Sequence, residues 1–399
     1  MIASLVSPRI MRVGGGAVAQ LPELLIALGL SRPLVVTDPY MLSSGLLRRC
    51  LDPLEAAGLH PGVFSDTVPE PTDTVIDAGV MAVGQRDKAG AYDCLVAFGG
   101  GSPIDTAKAI AILAEARATS PNVHMRDMKV PFAADRARLP VIAIPTTAGT
   151  GSEATRFTVI TDTERGEKML IAGLGALPLA AIVDYELTFT VPPRITADTG
   201  VDSLTHALEA FVSRRANAYS DTQARAAMAL IGANLRTAYA EPRNAPAREA
   251  MMLGAMQAGI AFTNASVALV HGMSRPIGAR FHVPHGLSNA MLLPALTRFG
   301  LESALSRYAE AARIIGMATA QDPDPVAADK LADGLATLNQ DLGVPTPGGY
   351  GIDKRDWDAA LPVMAEQALA SGSPANNPRV PTKEEIVALY QVVWSGNRV

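Results

Sequence analysis

The chain has 399 residues, 48% of them hydrophobic and 18% charged, so it can bury the cores of two or three domains and is not a disordered segment. Its 34 Lys and Arg against 39 Asp and Glu leave a formal charge of -5, which argues against nucleic acid and anionic membranes as partners. Two cysteines are too few for a disulfide framework, and the sequence shows neither a secretion signal nor an apolar run of the roughly 18 residues that span a membrane, so we expect a cytoplasmic protein.

Short apolar runs alternate with helical patterns between residues 33 and 188. The runs are PLVVTD (33–38), CLVAFG (94–99), VIAIPTT (141–147) and AAIVDYELT (180–188). Runs of this length, bounded by Gly, Pro or Asp, are typical of strands that are buried on both faces of a parallel sheet. We therefore predict an α/β domain over residues 1–190.

The second half of the chain has a helical pattern, with apolar residues every three or four positions. The clearest segments are TADTGVDSLTHALEAFVSRR (196–215), SDTQARAAMALIGANLRTAYA (220–240) and APAREAMMLGAMQAGIAF (245–262). Paired prolines at 192 and 193 mark the start of this half, and GVPTPGGYGID (343–353) is predicted to be a loop. We predict an all-α domain over residues 191–399.

A glycine-rich turn, GGGS (99–102), follows the second predicted strand and precedes the helical segment 103–116. Glycines allow close approach of the backbone to a phosphate, and the N-terminal end of a helix attracts one. We predict that Ser102 caps this helix and that Asp105 lies in its first turn. A turn that only links strand to helix is the alternative, because neither the G-x-G-x-x-G nor the P-loop pattern occurs.

Two further strand ends carry residues that suit a dinucleotide. The Asp38 carboxylate can accept hydrogen bonds from ribose hydroxyls and repel a 2′-phosphate, which favours NAD over NADP; an ordinary turn at Asp38-Pro39 is the alternative. Thr146 and Thr147 begin a stretch of hydroxyl and small residues (145–153), for which the alternative is a polar surface loop. Open α/β sheets bind ligands at the carboxyl ends of their strands, so we predict one cofactor site.

Four of the six histidines lie between residues 206 and 285. Asp202 and His206 are four residues apart on a predicted helix and share one face, and His271 and His285 are each followed by a glycine that permits close packing. One carboxylate with three imidazoles suits Fe(II), Zn(II), Co(II) or Mn(II), and a fifth ligand from substrate favours Fe(II) over a closed zinc site. Each histidine alone is more often structural, but the set of four predicts a divalent metal centre.

These motifs resemble those of the iron-containing, or group III, alcohol dehydrogenases, which share the dehydroquinate synthase-like fold. The matching segments are VVTD (35–38), GGGSPIDTAKAIA (99–111), IPTTAGTGSEAT (144–155), GVDSLTHALEAF (200–211) and LVHGMSRPIGARFHVPHGLSNAMLLP (269–294). The resemblance implies an α/β nucleotide-binding domain with a parallel sheet, followed by an all-α metal-binding and catalytic domain.

The resemblance also implies roles for individual residues. The metal ligands would be Asp202, His206, His271 and His285. The NAD contacts would be Asp38, Gly100, Gly101, Ser102, Thr146 and Thr147, with Lys168 near the cofactor ribose, and Gly99 and Asp105 complete the predicted cofactor-binding set.

This chain departs from the family pattern at two positions, Arg275 and Glu70, and the first departure gives His282 a possible role. A histidine common near the reaction centre is Arg275 here; arginine cannot shuttle a proton at neutral pH but can bind a carboxylate, phosphate or sulfonate, and a salt-bridged wall residue is the alternative. His282 is then a candidate for the lost acid–base function, with a positioning or surface role as the alternative. Glu70 stands where the family has asparagine, and we expect it to pair with an arginine or to face the cofactor.

The predicted function is reversible hydride transfer between a small primary alcohol, with or without an acidic tail, and NAD. Arg275 and His282 are the predicted catalytic residues, and Fe(II), with Zn(II) as the other choice, is the predicted metal. The resemblance implies a homodimer or larger homo-oligomer. The alternatives are a metal-free maleylacetate reductase-like enzyme, a zinc glycerol dehydrogenase-like enzyme and a non-catalytic nucleotide-binding sensor.

Overall fold

The computed structural model describes residues 4–84 and 90–396 of the chain. These residues form two compact units. One covers Val6–Thr190, and the other runs from Val191 to the end of the described chain and includes residues 4 and 5.

The first unit is built on a six-stranded sheet in which every neighbouring pair of strands is parallel. The strand order is β1-β8-β5-β4-β2-β3. The strands are β1 (Ile10–Val13), β2 (Pro33–Val36), β3 (Gly62–Phe64), β4 (Cys94–Gly99), β5 (Val141–Pro145) and β8 (Ala180–Val183). The prediction of a parallel α/β sheet is therefore confirmed.

Helices cover both faces of this sheet. They are α1 (Leu21–Ala27), α2 (Pro39–Ser43), α3 (Arg48–Ala56), α4 (Asp73–Gly84) and α5 (Gly101–Thr119). Because successive strand residues point to opposite faces, Val36 and Ala97 join a core with α4 and α5, while Val35 and Val96 join a second core with α1 and α3. Burial on both faces explains why these strands are continuous apolar runs rather than alternating ones.

The predicted strand at 180–188 is too long. Strand β8 ends at Val183, and a short 3-10 helix covers Tyr185–Thr188. The Asp184 side chain accepts a hydrogen bond from the backbone N–H of Glu186, so the aspartate caps this helix instead of continuing the strand.

An antiparallel hairpin lies outside the main sheet and is formed by β6 (Phe157–Asp162) and β7 (Glu167–Ala172). The apolar pattern of the sequence did not predict it. Its strands alternate between buried and partly exposed residues, with Thr158 and Ile160 buried. Threonine and aspartate at buried positions hide the usual alternation of apolar and polar residues.

The second unit is helical, as predicted. Its helices are α6 (Pro193–Val212), α7 (Ala218–Ala240), α8 (Ala245–Ala265), α9 (Leu269–Phe281), α10 (His285–Gly300), α11 (Leu305–Ile315), α12 (Asp324–Asp341), α13 (Pro347–Tyr350), α14 (Lys354–Ala370) and α15 (Lys383–Trp394). Helix α6 is the central one: most of its residues are buried, and it packs against α7, α8 and α10. The segment predicted as a loop at 343–353 contains α13, whose first turn is capped by the Thr346 hydroxyl.

Among residues 4–84 and 90–396, no single helix has both the length and the apolar composition of a membrane span. Helices α8 and α9 have this length and composition only when they are taken together, and the angle between them is 105°.

Candidate functional site

Four side chains of the second unit converge on one point. Asp202 and His206 lie one turn apart on α6, His271 lies in the first turn of α9, and His285 is the first residue of α10. One ligand atom from each lies within 4.8 Å of the others. The Nε2 atoms of His206, His271 and His285 are 3.9, 3.5 and 3.7 Å from the same oxygen, Oδ1 of Asp202. We call these four residues the Asp/His cluster.

The interior of the helical unit surrounds the Asp/His cluster. Asp202, His206 and His271 are buried, and His285 is partly exposed. The His206 ring stacks between Phe262 and His271, with ring centroids 4.2 and 4.4 Å away, so packing holds the two imidazoles side by side. Two stacked imidazoles with one carboxylate form a compact set of nitrogen and oxygen donors.

Each charged group in the Asp/His cluster stabilises the charge of its neighbours. Burial alone would raise the pKa of Asp202, but the three histidines hold it well below its usual range, so the carboxylate is ionised. Burial would lower the pKa of His271, and the carboxylates of Glu209 and Asp202 raise it to about 9.

Two buried residues missing from the predicted site hold this cluster in shape. The Glu209 carboxylate lies 2.6 Å from Nδ1 of His271 and accepts backbone N–H bonds from Ala268 (2.9 Å) and Val270 (2.5 Å) at the start of α9. One carboxylate therefore both orients a histidine and satisfies the end of the helix that carries it.

Asn289 is the second residue that the prediction missed. Its Nδ2 atom lies 2.6 Å from Oδ1 of Asp202 and 3.2 Å from Nε2 of both His271 and His285. The sequence did carry a signal for both residues, because Glu209 is one turn after His206 and Asn289 is one turn after His285.

The glycine after His285 allows the close packing that was predicted for it. A Cβ atom at Gly286 would clash with the backbone carbonyl of Asp198 on α6. A Cβ atom at Gly272, after His271, would lie 2.8 Å from the Pro374 ring. These glycines let α9 and α10 bring their histidines close to neighbouring backbone.

Gly286→Ala is therefore expected to destabilise the protein by about 1–3 kcal/mol, the usual cost of forcing an extra methyl group into packed structure. The added methyl group pushes α10 away from α6 and so moves His285 away from Asp202. Thermal unfolding and divalent metal titration measure the two effects. Gly84→Ala is the control, because no atom of the described residues lies within 4 Å of its Cβ position and alanine favours a helix; equal unfolding temperatures for the two variants would contradict the packing argument.

The predicted cofactor residues of the first unit lie at the carboxyl ends of β2, β4 and β5. A Cβ atom at Gly99 would be 3.4 Å from Oδ2 of Asp38, and one at Gly100 would be 3.6 Å from Oγ1 of Thr147. The three predicted segments therefore meet at one edge of the sheet. Thr146 is buried there, and its hydroxyl oxygen has no hydrogen-bond partner in the described part of the chain.

The prediction for the start of α5 is wrong in detail. The N-cap is Gly100, Ser102 lies inside the first turn, and no side chain of the described residues caps this helix. Asp105 lies beyond the first turn and turns away from it, accepting hydrogen bonds from Oγ of Ser152 (2.6 Å) and the N–H of Val159 (2.9 Å). The first N–H groups of α5 therefore have no side-chain acceptor, which suits an anion.

A buried lysine, which the prediction also missed, holds the loop that follows β5. Nζ of Lys108 donates hydrogen bonds to Oγ of Ser152 (2.9 Å), to the carbonyl and hydroxyl oxygens of Thr155 (both 3.1 Å) and to the carbonyl of Phe157 (2.9 Å). Burial lowers the pKa of Lys108 to about 8. Lys108 and Asp105, both on α5, therefore hold the loop after β5 against this helix.

Asp38 and Lys168 each make a contact of their own. Oδ1 of Asp38 accepts the N–H of Met41 (2.9 Å) and caps α2, which leaves Oδ2 for a ligand. Lys168 lies on β7, and its Nζ is 2.6 Å from Oε1 of Glu70. Glu70 was expected to pair with an arginine or to face the cofactor; its partner is a lysine, and the second expectation stays a prediction.

The two predicted catalytic residues lie at different positions on α9. Arg275 is half-buried, one turn after His271, and makes no ion pair in the described chain, so its reading as a salt-bridged wall residue is wrong. His282 is exposed and forms the C-cap of α9 in a left-handed conformation (φ 55°). It is not part of the Asp/His cluster.

The chain is similar to known proteins along nearly its whole length. Models of the iron-containing alcohol dehydrogenase family and of the C-terminal part of that family match residues 8–185 and 196–394. Lactaldehyde reductase from Escherichia coli is 36% identical over 96% of this chain and 97% of its own length.

Solved structures give the same result. The structure of 1,3-propanediol oxidoreductase has a TM-score of 0.91 at 32% identity, covering 98% of this chain and all of the other. The structure of sulfoacetaldehyde reductase from Bifidobacterium kashiwanohense, in complex with NAD+, has a TM-score of 0.86 at 30% identity, covering 99% of both chains.

Proposed function

Because the chain belongs to the iron-containing alcohol dehydrogenase family, we propose that it transfers a hydride reversibly between a small primary alcohol and NAD, using a divalent metal. The convergence of three imidazole Nε2 atoms on one oxygen of Asp202 is the observation that carries this proposal. The names of the relatives, which act on lactaldehyde and 1,3-propanediol, support a small substrate.

We propose that the four residues of the Asp/His cluster hold the metal. The donor set of one carboxylate and three imidazoles fits Fe(II) and Zn(II), and we favour Fe(II), because a fifth, substrate oxygen suits it better than a closed four-coordinate zinc site. A divalent cation bound there would act as a Lewis acid on an alcohol or carbonyl oxygen. Glu209 and Asn289 would keep the ligand atoms in place, since both bond directly to members of the cluster.

We propose that NAD binds at the carboxyl edge of the parallel sheet. The uncapped first turn of α5 and Gly99, Gly100, Gly101 and Ser102 would hold the diphosphate, with Thr146 and Thr147 beside it. The unused Oδ2 of Asp38 would accept the ribose hydroxyls and disfavour NADP, and Lys168 would lie near the other ribose. Asp105 would support this site indirectly, because it accepts a hydrogen bond from Ser152 in the loop after β5.

Oxidation of an alcohol releases a proton, and His282 remains our proposed residue for passing it to water. Its imidazole is exposed and makes no hydrogen bond in the described chain. Arg275 cannot accept a proton at neutral pH. His282 thus differs from the cluster histidines, whose rings face one another.

The remaining parts of the proposal follow from the fold and the composition. Residues 1–190 would be the dinucleotide-binding domain, and residues 191–399 the metal-binding and catalytic domain. Both cysteines, Cys50 and Cys94, are buried free thiols, which suits the reducing cytoplasm. We also propose a homo-oligomer of two or more subunits, as the family resemblance implies.

Metal removal tests the proposal directly. The purified protein should reduce NAD faster than NADP with a panel of primary alcohols, lose this activity after chelation, and regain it with Fe(II) or Zn(II). NADH absorbance gives the rate, and elemental analysis gives the metal content. Full turnover after complete chelation would show that the metal has no part in the reaction and would favour the metal-free alternative.

A further inference from the structure

We infer that Arg275 binds an anionic group of the substrate, so that the preferred substrate is a short ω-hydroxy acid, or its aldehyde, with a terminal carboxylate, sulfonate or phosphonate. This inference rests on the proposed function and names the substrate class of the same site.

Arg275 follows His271 by four residues on α9, so the two side chains leave the same side of the helix, about one turn apart. One helical turn rises about 5.4 Å, so a molecule that reaches both residues needs only a short chain between its hydroxyl and its anion.

The Arg275 guanidinium makes no ion pair within the described chain. Its one hydrogen bond in the described chain runs from Nη1 to Oγ of Ser373 (3.1 Å), which leaves its other N–H donors unused. Other arginines of this unit are paired: Arg307 with Asp221 (2.6 Å) and Arg313 with Asp324 (2.8 Å). Arg248, which is buried, has no ion pair in the described chain either, but its guanidinium donates two hydrogen bonds, to the carbonyl of Pro242 (2.8 Å) and to Oγ1 of Thr196 (2.9 Å), whereas Arg275 donates one.

Glu209 does not neutralise Arg275. This carboxylate acts on the arginine electrostatically, but its two oxygens already accept bonds from Ala268, Val270 and His271. Burial lowers the pKa of Arg275, and the negative charge of Glu209 opposes this effect. A half-buried charge without a partner is costly, and an incoming anion removes that cost.

A guanidinium presents parallel N–H donors that match two oxygens of a carboxylate, sulfonate or phosphonate, and such charge-assisted pairs are stronger than neutral hydrogen bonds. The single bond to Ser373 uses Nη1, and no other nitrogen of the guanidinium donates a hydrogen bond within the described chain. Arg280, on the same helix, is exposed and packs on the Phe281 ring, so it offers no comparable site.

The test compares matched substrates in the metal-loaded enzyme. We expect kcat/KM to be higher for 3-hydroxypropanoate, 4-hydroxybutanoate or 3-hydroxypropane-1-sulfonate than for 1-propanol and 1-butanol. In Arg275→Met, the ratio of kcat/KM for the acids to kcat/KM for the neutral alcohols should fall by about tenfold or more, the value of a charge-assisted hydrogen bond. Arg275→Lys should lie between the two, because it keeps the charge without the fork.

Two further measurements separate this inference from the proposed function. Calorimetry with butanoate, which has no hydroxyl group to react, should show binding to the wild-type holoenzyme and to Arg280→Met, but not to Arg275→Met. If neutral alcohols are oxidised and neither the acids nor butanoate depend on Arg275, the anion site is disproved and the proposed function stands. If butanoate binding depends on Arg275 and no alcohol is oxidised, the proposed function fails and the anion site stands.

Discussion

Replacing Asp202 with alanine is expected to abolish metal binding and to lower kcat/KM for primary alcohols by at least about a thousandfold. Lewis-acid stabilisation by a metal is worth several kcal/mol, and each factor of ten in rate corresponds to about 1.36 kcal/mol. Asp202 is the one carboxylate of the cluster, and its Oδ1 atom is the point on which His206, His271 and His285 converge. Without it, three imidazoles face one another with no anion between them.

Asp202→Asn refines this prediction, because it keeps the shape and an oxygen but removes the charge. It should bind metal more weakly than the wild type and more tightly than Asp202→Ala. Asp221→Asn is the matched control: it removes a largely buried carboxylate of the same unit, one that pairs with Arg307 outside the cluster. Metal content and NADH formation measured together decide the matter, and retention of both in Asp202→Ala would disprove the assigned ligands.

The parallel sheet could be predicted because its strands are buried on both faces, which makes each one a continuous apolar run. The hairpin Phe157–Ala172 could not, because its buried positions include Thr158 and Asp162. Polar residues at buried strand positions have partners that are distant in sequence: the Thr158 hydroxyl donates to the backbone carbonyl of Asp105 (3.0 Å), and Arg126 contacts Oδ1 of Asp162 at 3.1 Å. Such partners are invisible to a local pattern.

The Asp/His cluster was predictable for the opposite reason, since helical spacing is a local property. The four-residue spacing of Asp202 and His206 places both donors on one helix face, and the glycines after His271 and His285 permit close approach. The same spacing also contained Glu209 and Asn289, but it does not say which polar residue of a buried face binds a ligand and which supports one.

The start of α5 shows a further limit. Ser102 and Asp105 fit the sequence rule for a helix cap, yet Gly100 is the cap and Asp105 instead bonds to Ser152 and Val159. The rule considers only the helix itself. In the folded chain, the Asp105 carboxylate is also attracted by the charge of Lys108, and Lys108 donates a hydrogen bond to Ser152, the residue that bonds to Asp105. Tertiary contacts decide the outcome here, and they leave the first turn of α5 open.

Glu209→Ala is expected to weaken metal affinity by about 10- to 100-fold, the usual effect of removing the partner of a metal-binding histidine. The variant removes the acceptor of Nδ1 of His271, so the ring loses the contact that fixes its orientation. It also leaves the N–H groups of Ala268 and Val270 buried without a partner, at a cost of about 1–3 kcal/mol each in the free energy of unfolding.

Two variants separate the loss of orientation from a general loss of stability. Glu209→Gln keeps the size and one acceptor oxygen, so it should recover part of the stability and less of the metal affinity, because a neutral amide is a weaker partner for an imidazole N–H than a carboxylate. Gly232→Ala strains the contact of α7 with the backbone of Ile315 and should lower stability without changing metal affinity. If Gly232→Ala loses metal as readily as Glu209→Ala at equal stability, Glu209 serves only the packing of α9, and the orientation of His271 depends on other contacts.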